Sequence, residues 1–102
     1  MTKLKQPDEC RDMTEVRAGV DATDRELMAL LDRRFGYMRA AARIKPDRGV
    51  VRDEKRKSAV IDAARADARQ RGLPDEAIGM LWEQLVEASI AYELEEWDRT
   101  RA

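Results

Sequence analysis

The chain has no histidine and a single cysteine, and aromatic residues make up only 5% of its 102 residues. Without histidine, neither a histidine-based catalytic triad nor a zinc site with histidine ligands can form. The one cysteine, Cys10, excludes an intramolecular disulfide. So few aromatic side chains provide no surface on which nucleic-acid bases could stack. These absences remove several classes of catalytic and binding site from consideration.

Long apolar runs are also missing, and neither sign of charge dominates. No apolar stretch approaches the roughly 18 residues of a membrane span, and the segment MTKLKQPDEC lacks the apolar core of a signal peptide. We therefore expect a cytoplasmic protein. Charged residues make up 40% of the chain, but the two signs are interspersed and the formal net charge is -1. Since this balance creates no general field for nucleic acid or membranes, any anion site must be local.

The most informative segment that is present covers residues 12–45, which contain no proline. Asp12 followed by Glu15 is a capping-box pattern for a helix start, and Pro46 makes continuation beyond Lys45 unfavourable. Apolar residues recur at helical spacing. At about 100° per residue, the following side chains share a stripe roughly 60° wide: Val16, Val20, Leu27, Leu31 and Met38.

The predicted first helix is long for so short a chain. Its residues would form a rod of roughly 50 Å at a rise of about 1.5 Å per residue. A compact domain of about 100 residues has a radius of gyration of only about 13 Å. The apolar stripe therefore needs a partner along its whole length, and the simplest supplier is a second copy of the chain.

The remaining sequence predicts a loop and two further helices. Residues 1–11 are expected to be irregular and residues 46–51 to form a loop. A second helix is predicted over residues 53–71, with Gly72 as its C-terminal cap, and a third helix with Asp75 as its N-cap. We find no strand pattern. The prediction is a single all-α domain over residues 1–102, with three helices in a long–short–long order that form a homodimer.

Several polar residues lie where the helices should be buried. Arg34 and Lys45 share the apolar stripe of the first helix, roughly 16 Å apart along its axis. Because a buried charge costs several kcal/mol unless it is paired, these cations require an anion. Asp53 and Glu93 could provide it, and so could a bound dianionic small molecule. Two alternatives stay open: a small rotation could expose Arg34, and Lys45 could simply favour the helix end.

Other candidates have equally plain alternatives. Asp53 and Arg56 share the face of Val60 on the second helix, although Arg56 lies in a charge-rich run that is typical of a solvated surface. Ser89 and Glu93 continue the apolar stripe of the third helix, where Ser89 could be a small core residue and Glu93 an exposed residue near the helix end. Arg17 lies about 100° from the stripe centre and is predicted at the surface. The residues alone favour an anion-binding helical dimer.

The segment VRAGVDATDRELMALLDRRFGYMRAAARIK resembles the first helix of the all-helical chorismate mutase family, in which an arginine, an Asp-x-x-Asp-type pattern, a second arginine and a lysine recur at these intervals. The segment VRDEKRK, residues 51–57, resembles that family's Val-Arg-Asp-x-x-Arg-Glu motif. The start PDEC followed by EVR is similar to the relatives that act as isochorismate pyruvate lyases. The resemblance covers residues 15–97.

The resemblance implies an intertwined homodimer with two sites for a dicarboxylate carrying an enolpyruvyl ether. Lys45 and Glu93 correspond to the residues that, in the family, donate hydrogen bonds to the ether oxygen. Arg34 corresponds to the arginine that grips the enolpyruvyl-side carboxylate, and Arg17 to an arginine from the partner chain that reaches a carboxylate. The remaining implied substrate contacts are made by Arg56 to the other carboxylate, Asp53 to the substrate hydroxyl and Ser89 near the ring carboxylate.

Two departures from the family pattern bear on the substrate. Lys57 stands where the mutases have a glutamate that contacts the ring hydroxyl, and Glu93 stands where many members have glutamine. A carboxyl group can donate a hydrogen bond only when it is protonated. The loss of the glutamate at position 57 raises the lyase alternative.

We therefore expect chorismate mutase activity, the Claisen rearrangement of chorismate to prephenate. The alternatives are isochorismate pyruvate lyase, which yields salicylate and pyruvate, a mutase activated by a partner protein, and a non-catalytic dimerisation module. Both reactions are pericyclic and need neither a cofactor nor a metal, and the sequence contains no nucleophile paired with a base.

Overall fold

The computed structural model describes residues 4–102, and the secondary structure of this range is entirely helical. Its helices are α1 (Met13–Ile44), α2 (Glu54–Gln70) and α3 (Asp75–Thr100). Short 3-10 turns lie at Pro7–Glu9, within the segment expected to be irregular, and at Arg48–Val50, between α1 and α2. The predicted all-α, long–short–long order is confirmed for this range. The irregular structure expected for residues 1–3 lies outside the described residues, and the homodimer stays a prediction.

The ends of α1 follow the local sequence signals. The backbone N–H of Glu15 donates to the Asp12 carboxylate at 2.8 Å, so Asp12 caps the helix as predicted. The Glu15 carboxylate accepts from the N–H of Arg11 at 2.9 Å, one residue earlier than in a standard capping box. At the other end, the N–H of Lys45 donates to the carbonyl of Ala41 at 2.9 Å. Lys45 thus directly follows the last helical residue, where Pro46 stops the helix.

The ends of α2 are also defined by short-range contacts. The Asp53 carboxylate accepts from the N–H of Arg56 at 3.0 Å and caps the helix start. Gly72 has a φ of 71°, a conformation that favours glycine. The N–H of Leu73 donates to the carbonyl of Ala68 at 2.8 Å, and that of Gly72 to Arg69 at 3.1 Å, which completes a Schellman motif.

The prediction that Asp75 caps α3 is wrong by one residue. Pro74 occupies the N-cap position, and Asp75 is the first residue of the helix. Instead of capping the helix, the Asp75 carboxylate accepts a hydrogen bond from Arg69 at 2.9 Å. Its negative charge still lies in the first turn of the helix, where it interacts favourably with the helix dipole.

The chain divides into two compact units, residues 1–34 and residues 35–102. In the first unit, the apolar stripe of α1 is exposed: Val16 to 36%, Val20 to 52% and Leu27 to 52%. Such a continuous exposed apolar stripe is typical of a surface that binds another protein.

The second unit contains the hydrophobic core. Val51, from the segment between α1 and α2, packs with Val86 and Ile90 of α3, and all three are buried. The partly buried side chains packed against them are Val60, Ile61, Leu94 and Trp97. On the α1 part of this unit, Phe35 meets Tyr92 edge to face at 5.0 Å. None of the helices described is long and apolar enough to cross a membrane.

Candidate active site

The central feature of the second unit is an ion pair between the end of α1 and the middle of α3. Nζ of Lys45 lies 2.8 Å from Oε2 of Glu93, with side-chain exposures of 31% and 5%. Among residues 4–102, this buried Oε2 accepts no well-aligned hydrogen bond, so the ion pair is its main compensation. A buried carboxylate without a partner would be strongly unfavourable. The expectation that Glu93 compensates a core cation is confirmed, and the exposed alternative for Glu93 is wrong.

Lys45 is the accessible member of this pair. Its ammonium group also donates to the backbone carbonyl of Val51 at 3.4 Å. An ammonium group has three N–H donors, and the Val51 carbonyl engages one of them. Because the side chain is 31% exposed, the ammonium can also donate to an oxygen atom of a ligand, while the Glu93 carboxylate compensates its charge from the buried side.

The segment between α1 and α2 is fixed to α3 on both sides of Val51. Arg48 makes two hydrogen bonds to Asp98, at 2.8 and 3.2 Å. Arg52 makes two to Glu87, at 3.0 and 2.8 Å. Such two-point arginine–carboxylate contacts restrain geometry as well as charge. They place the Val51 carbonyl beside the Lys45 ammonium.

These contacts shift the pKa values of the carboxyl groups. Hydrogen bonding to Arg48 lowers the pKa of Asp98. Hydrogen bonds from Arg52 and, second, from Lys57 lower the pKa of Glu87 from 4.5 to about 2. Both carboxylates therefore remain charged at neutral pH and keep the segment in place.

Lys57 extends this network between α2 and α3. Its ammonium lies 2.8 Å from carboxylate oxygens of both Glu83 and Glu87, and these hydrogen bonds raise the pKa of Lys57. A glutamate at position 57 would face two carboxylates of α3. The positive charge of Lys57, which stands in place of the glutamate of the mutase motif, is thus compensated by Glu83 and Glu87.

Ser89 lies one turn before Glu93 on the same face of α3. It is buried to 3% exposure, as its place on the apolar stripe predicted. Its hydroxyl donates to the carbonyl of Leu85 at 2.7 Å. The hydroxyl proton is therefore directed to the helix backbone.

Asp53 and Arg56 do not join the ion pair. Both residues are exposed, and among the described residues neither side chain forms a hydrogen bond or ion pair with Lys45 or Glu93. The expectation that Asp53 compensates Lys45 is wrong. Because α2 begins at Glu54, the Asp53 carboxylate binds the free N–H groups of the helix start instead.

The two arginines of the first unit both lie on α1. Arg17 is exposed, as its angular position predicted, and Arg34 is half-buried. Their contacts with a substrate, and the contribution of Arg17 to a partner's site, stay predictions.

A pair of donors that bind the backbone of Lys45 was not predicted from the sequence. The indole Nε1 of Trp97 donates to the Lys45 carbonyl at 3.0 Å, and Nη2 of Arg101 donates to it at 2.8 Å. The sequence does contain a signal for these contacts. A spacing of four residues relates Ser89, Glu93, Trp97 and Arg101. This spacing places them along one face of a helix.

Comparison with known proteins gives two findings. A family model described as chorismate mutase type II matches residues 16–94, which contain every candidate site residue named from the sequence. A protein named isochorismate pyruvate lyase, from Pseudomonas aeruginosa, is 26% identical over 98 residues, covering 96% of this chain and 97% of that protein. This second similarity includes residues on both sides of the range matched by the family model. The family resemblance of the sequence is confirmed.

Proposed function

The chain belongs to the chorismate mutase type II family, and on that premise we propose that it breaks the enolpyruvyl ether bond of a chorismate-type dicarboxylate in a pericyclic reaction. One observation carries this proposal. The side chain of Lys45 is partly exposed, and its ammonium lies 2.8 Å from the buried carboxylate of Glu93.

Lys45 is the proposed donor to the ether oxygen. Negative charge develops on that oxygen as its bond to the ring carbon breaks, and a prearranged cation stabilises this charge more than it stabilises the ground state. No nucleophile is required. The remaining acceleration comes from holding the substrate in its reactive, folded conformer.

Glu93 has two proposed roles that depend on its protonation. As a carboxylate it orients Lys45, and as a carboxylic acid it can itself donate to the ether oxygen. The first role is supported by the 2.8 Å ion pair. The second follows from the position that the family resemblance gives to this residue.

Other residues complete the proposed substrate site. Arg34 and Arg56 would bind the two carboxylates, Asp53 the hydroxyl and Ser89 the region of the ring carboxylate. Arg17 would come from a second chain. The exposed apolar stripe of α1 supports a homodimer, because burying that stripe against its copy removes apolar surface from water.

Two reactions fit this site and share the cleavage of the ether C–O bond. In the elimination from isochorismate, the hydrogen on the neighbouring ring carbon moves to the enolpyruvyl methylene, and the products are salicylate and pyruvate. In the Claisen rearrangement of chorismate, a carbon–carbon bond forms between that methylene and the ring, and the product is prephenate. Atoms and electrons balance in both without a cofactor.

We rank the elimination first, for two reasons. The similarity to the protein named isochorismate pyruvate lyase extends over almost the whole of both chains. Lys57 also replaces the glutamate that the mutase motif uses for the ring hydroxyl, and it is engaged with Glu83 and Glu87. Chorismate mutase, the function expected from the sequence, is the second candidate and is favoured by the description of the family model.

The test is to incubate the purified protein separately with isochorismate and with chorismate. Our proposal predicts salicylate and pyruvate in equal amounts from isochorismate, at a higher kcat/KM than prephenate from chorismate. Prephenate alone would reverse the ranking. A protein that converts neither substrate would contradict the proposal and favour a non-catalytic helical module.

A further inference from the structure

We propose that Arg101, together with Trp97, is a positioning residue that places Lys45 for its reaction. This inference rests on the function proposed above for Lys45. Its basis is a set of contacts at the C-terminal end of α1, whose donors, Trp97 and Arg101, have no role in the function proposed above.

The carbonyl groups at the C-terminal end of a helix lack donors within the helix. At the end of α1, the guanidinium of Arg101 supplies donors to three of them. It donates to the carbonyls of Ala42 at 3.0 Å, Arg43 at 3.4 Å and Lys45 at 2.8 Å. A cation at this position also favours the helix dipole. Arg101 therefore binds carbonyls at the end of α1 that have no donor within the helix, including that of Lys45.

Trp97 connects this cap to the hydrophobic core. The guanidinium carbon of Arg101 lies 4.2 Å from the centre of the Trp97 ring, a cation–π contact. The same indole ring donates to the Lys45 carbonyl and packs against the cluster of Val51, Val86 and Ile90. The guanidinium thus lies over the ring of a packed side chain.

The backbone and the head group of Lys45 are consequently both held by α3 and by Arg101, the residue that follows it. Trp97 and Arg101 bind its backbone carbonyl, while Glu93, one turn earlier on α3, binds its ammonium. A lysine side chain has several rotatable bonds, so fixing the backbone alone would leave the ammonium mobile. Fixing the ammonium alone would still allow the backbone of Lys45 to move. Because a displacement of about 1 Å can cost on the order of 10²-fold in rate, this double attachment is functionally important.

The experiment compares Arg101→Ala with the control Arg99→Ala. Arg99 is two residues away, is 69% exposed at its side chain and pairs with Glu96 on its own helix. With the better of the two substrates, we expect Arg101→Ala to lower kcat on the order of 10-fold with KM within about twofold. Arg99→Ala should keep the wild-type values. Added guanidinium ion at millimolar concentration should restore part of the kcat of Arg101→Ala.

A second measurement reports on Lys45 without any substrate. In NMR spectra of the lysine ε-CH2 groups, Arg101→Ala should shift the Lys45 signal and leave that of Lys57, which pairs with Glu83 and Glu87, in place. If wild-type protein converts neither substrate, the proposed function fails, while this spectrum still tests the positioning. Should Arg101→Ala not fold, Arg101→Lys and Trp97→Phe remove parts of the same contacts and should each shift the Lys45 signal and lower kcat by less.

Three outcomes would overturn the inference. The first is a wild-type kcat in Arg101→Ala. The second is a loss of activity in which the Lys45 signal does not move, since this would make Arg101 important only for stability. The third is an equal loss in Arg99→Ala. A shifted Lys45 signal, a lowered kcat and partial rescue by guanidinium together would support it.

Discussion

Lys45 is the first residue after α1, and its chemistry depends on that position. One turn earlier in the sequence, this lysine would lie within the helix. A few residues later, it would lie in the segment that connects α1 to α2. At the helix end it is 31% exposed at the side chain and still reaches the buried Glu93. A cation in this setting is available to a ligand while its charge remains compensated.

Replacing Lys45 tests both parts of that description. We expect Lys45→Ala to lower kcat/KM by about 10²–10³-fold, the usual loss for a donor to a developing negative charge. It should also lower the free energy of unfolding by about 1–3 kcal/mol, because Glu93 loses its partner. Steady-state kinetics and thermal unfolding measure the two effects. The double substitution Lys45→Ala and Glu93→Gln should recover stability but not activity, and near wild-type kcat in Lys45→Ala would contradict the assignment.

Replacing Glu93 separates the two roles proposed for this residue. Glu93→Gln keeps a hydrogen-bond donor in reach of a ligand but removes the negative charge that lies 2.8 Å from the ammonium of Lys45. If the ion pair orients Lys45, Glu93→Gln should lower kcat. Steady-state kinetics measure this effect, and a kcat equal to or above that of the wild type would mean that the residue acts as a donor and not by orienting Lys45.

At the scale of the helices, the site depends on how the segment between α1 and α2 is held against α3. Val51 anchors the segment in the core, and Arg48 and Arg52 attach it to Asp98 and Glu87. Glu87 also binds Lys57, so one carboxylate joins this segment and α2 to α3. The geometry around Lys45 is therefore expected to respond to charges on α3 that do not touch the substrate.

The stability of the fold should respond to acid through Glu87. Because its pKa in the folded protein is about 2 instead of 4.5, its contribution to stability is complete above pH 4.5 and is lost as the pH falls towards 2. Glu87→Gln should lower the stability at neutral pH and remove this part of the acid dependence. Urea unfolding at several pH values measures it. The control is Glu95→Gln, at an exposed position of α3, and equal acid dependence in wild type and Glu87→Gln would exclude this role.

The helix ends that the sequence marked with a cap or a proline were predictable to within one residue, because capping depends on neighbours along the chain. Asp12, Pro46 and Gly72 each act within a few residues of the helix end that they define. Asp75 was assigned one position too early in the helix. Its carboxylate accepts a hydrogen bond from Arg69 of the preceding helix, and no local sequence pattern reveals this contact.

The polar contacts of the candidate site were predictable only in part. The apolar spacing placed Lys45 and Glu93 on buried faces, and the need to compensate buried charge suggested their pairing. The same reasoning wrongly included Asp53, because the free N–H groups of the α2 start compete for its carboxylate. Trp97 and Arg101 lay at a regular spacing, but which carbonyls they bind depends on the packing of α3 beside the end of α1.

At the scale of the whole molecule, the exposed stripe of α1 is the feature that a single chain leaves unexplained. Val20 and Leu27 are each exposed to 52% although they belong to the periodic apolar face of the helix. In the proposed homodimer, this face packs against its copy. The exposed Arg17 can then belong to the site of the other chain while Lys45 belongs to the site of its own.

A heterodimer of two inactive chains tests this arrangement most directly. We would co-express Arg17→Ala and Lys45→Ala chains with different affinity tags, isolate dimers that carry both tags, and measure turnover of the preferred substrate. One of the two sites would contain an intact Arg17 and an intact Lys45, so activity should return to about half that of the wild-type dimer. As a control, the pair Arg34→Ala and Lys45→Ala should stay inactive, because both residues are assigned to one chain. If the Arg17→Ala and Lys45→Ala heterodimer is as inactive as its parents, or if no dimer carrying both tags exists, the shared active site is wrong.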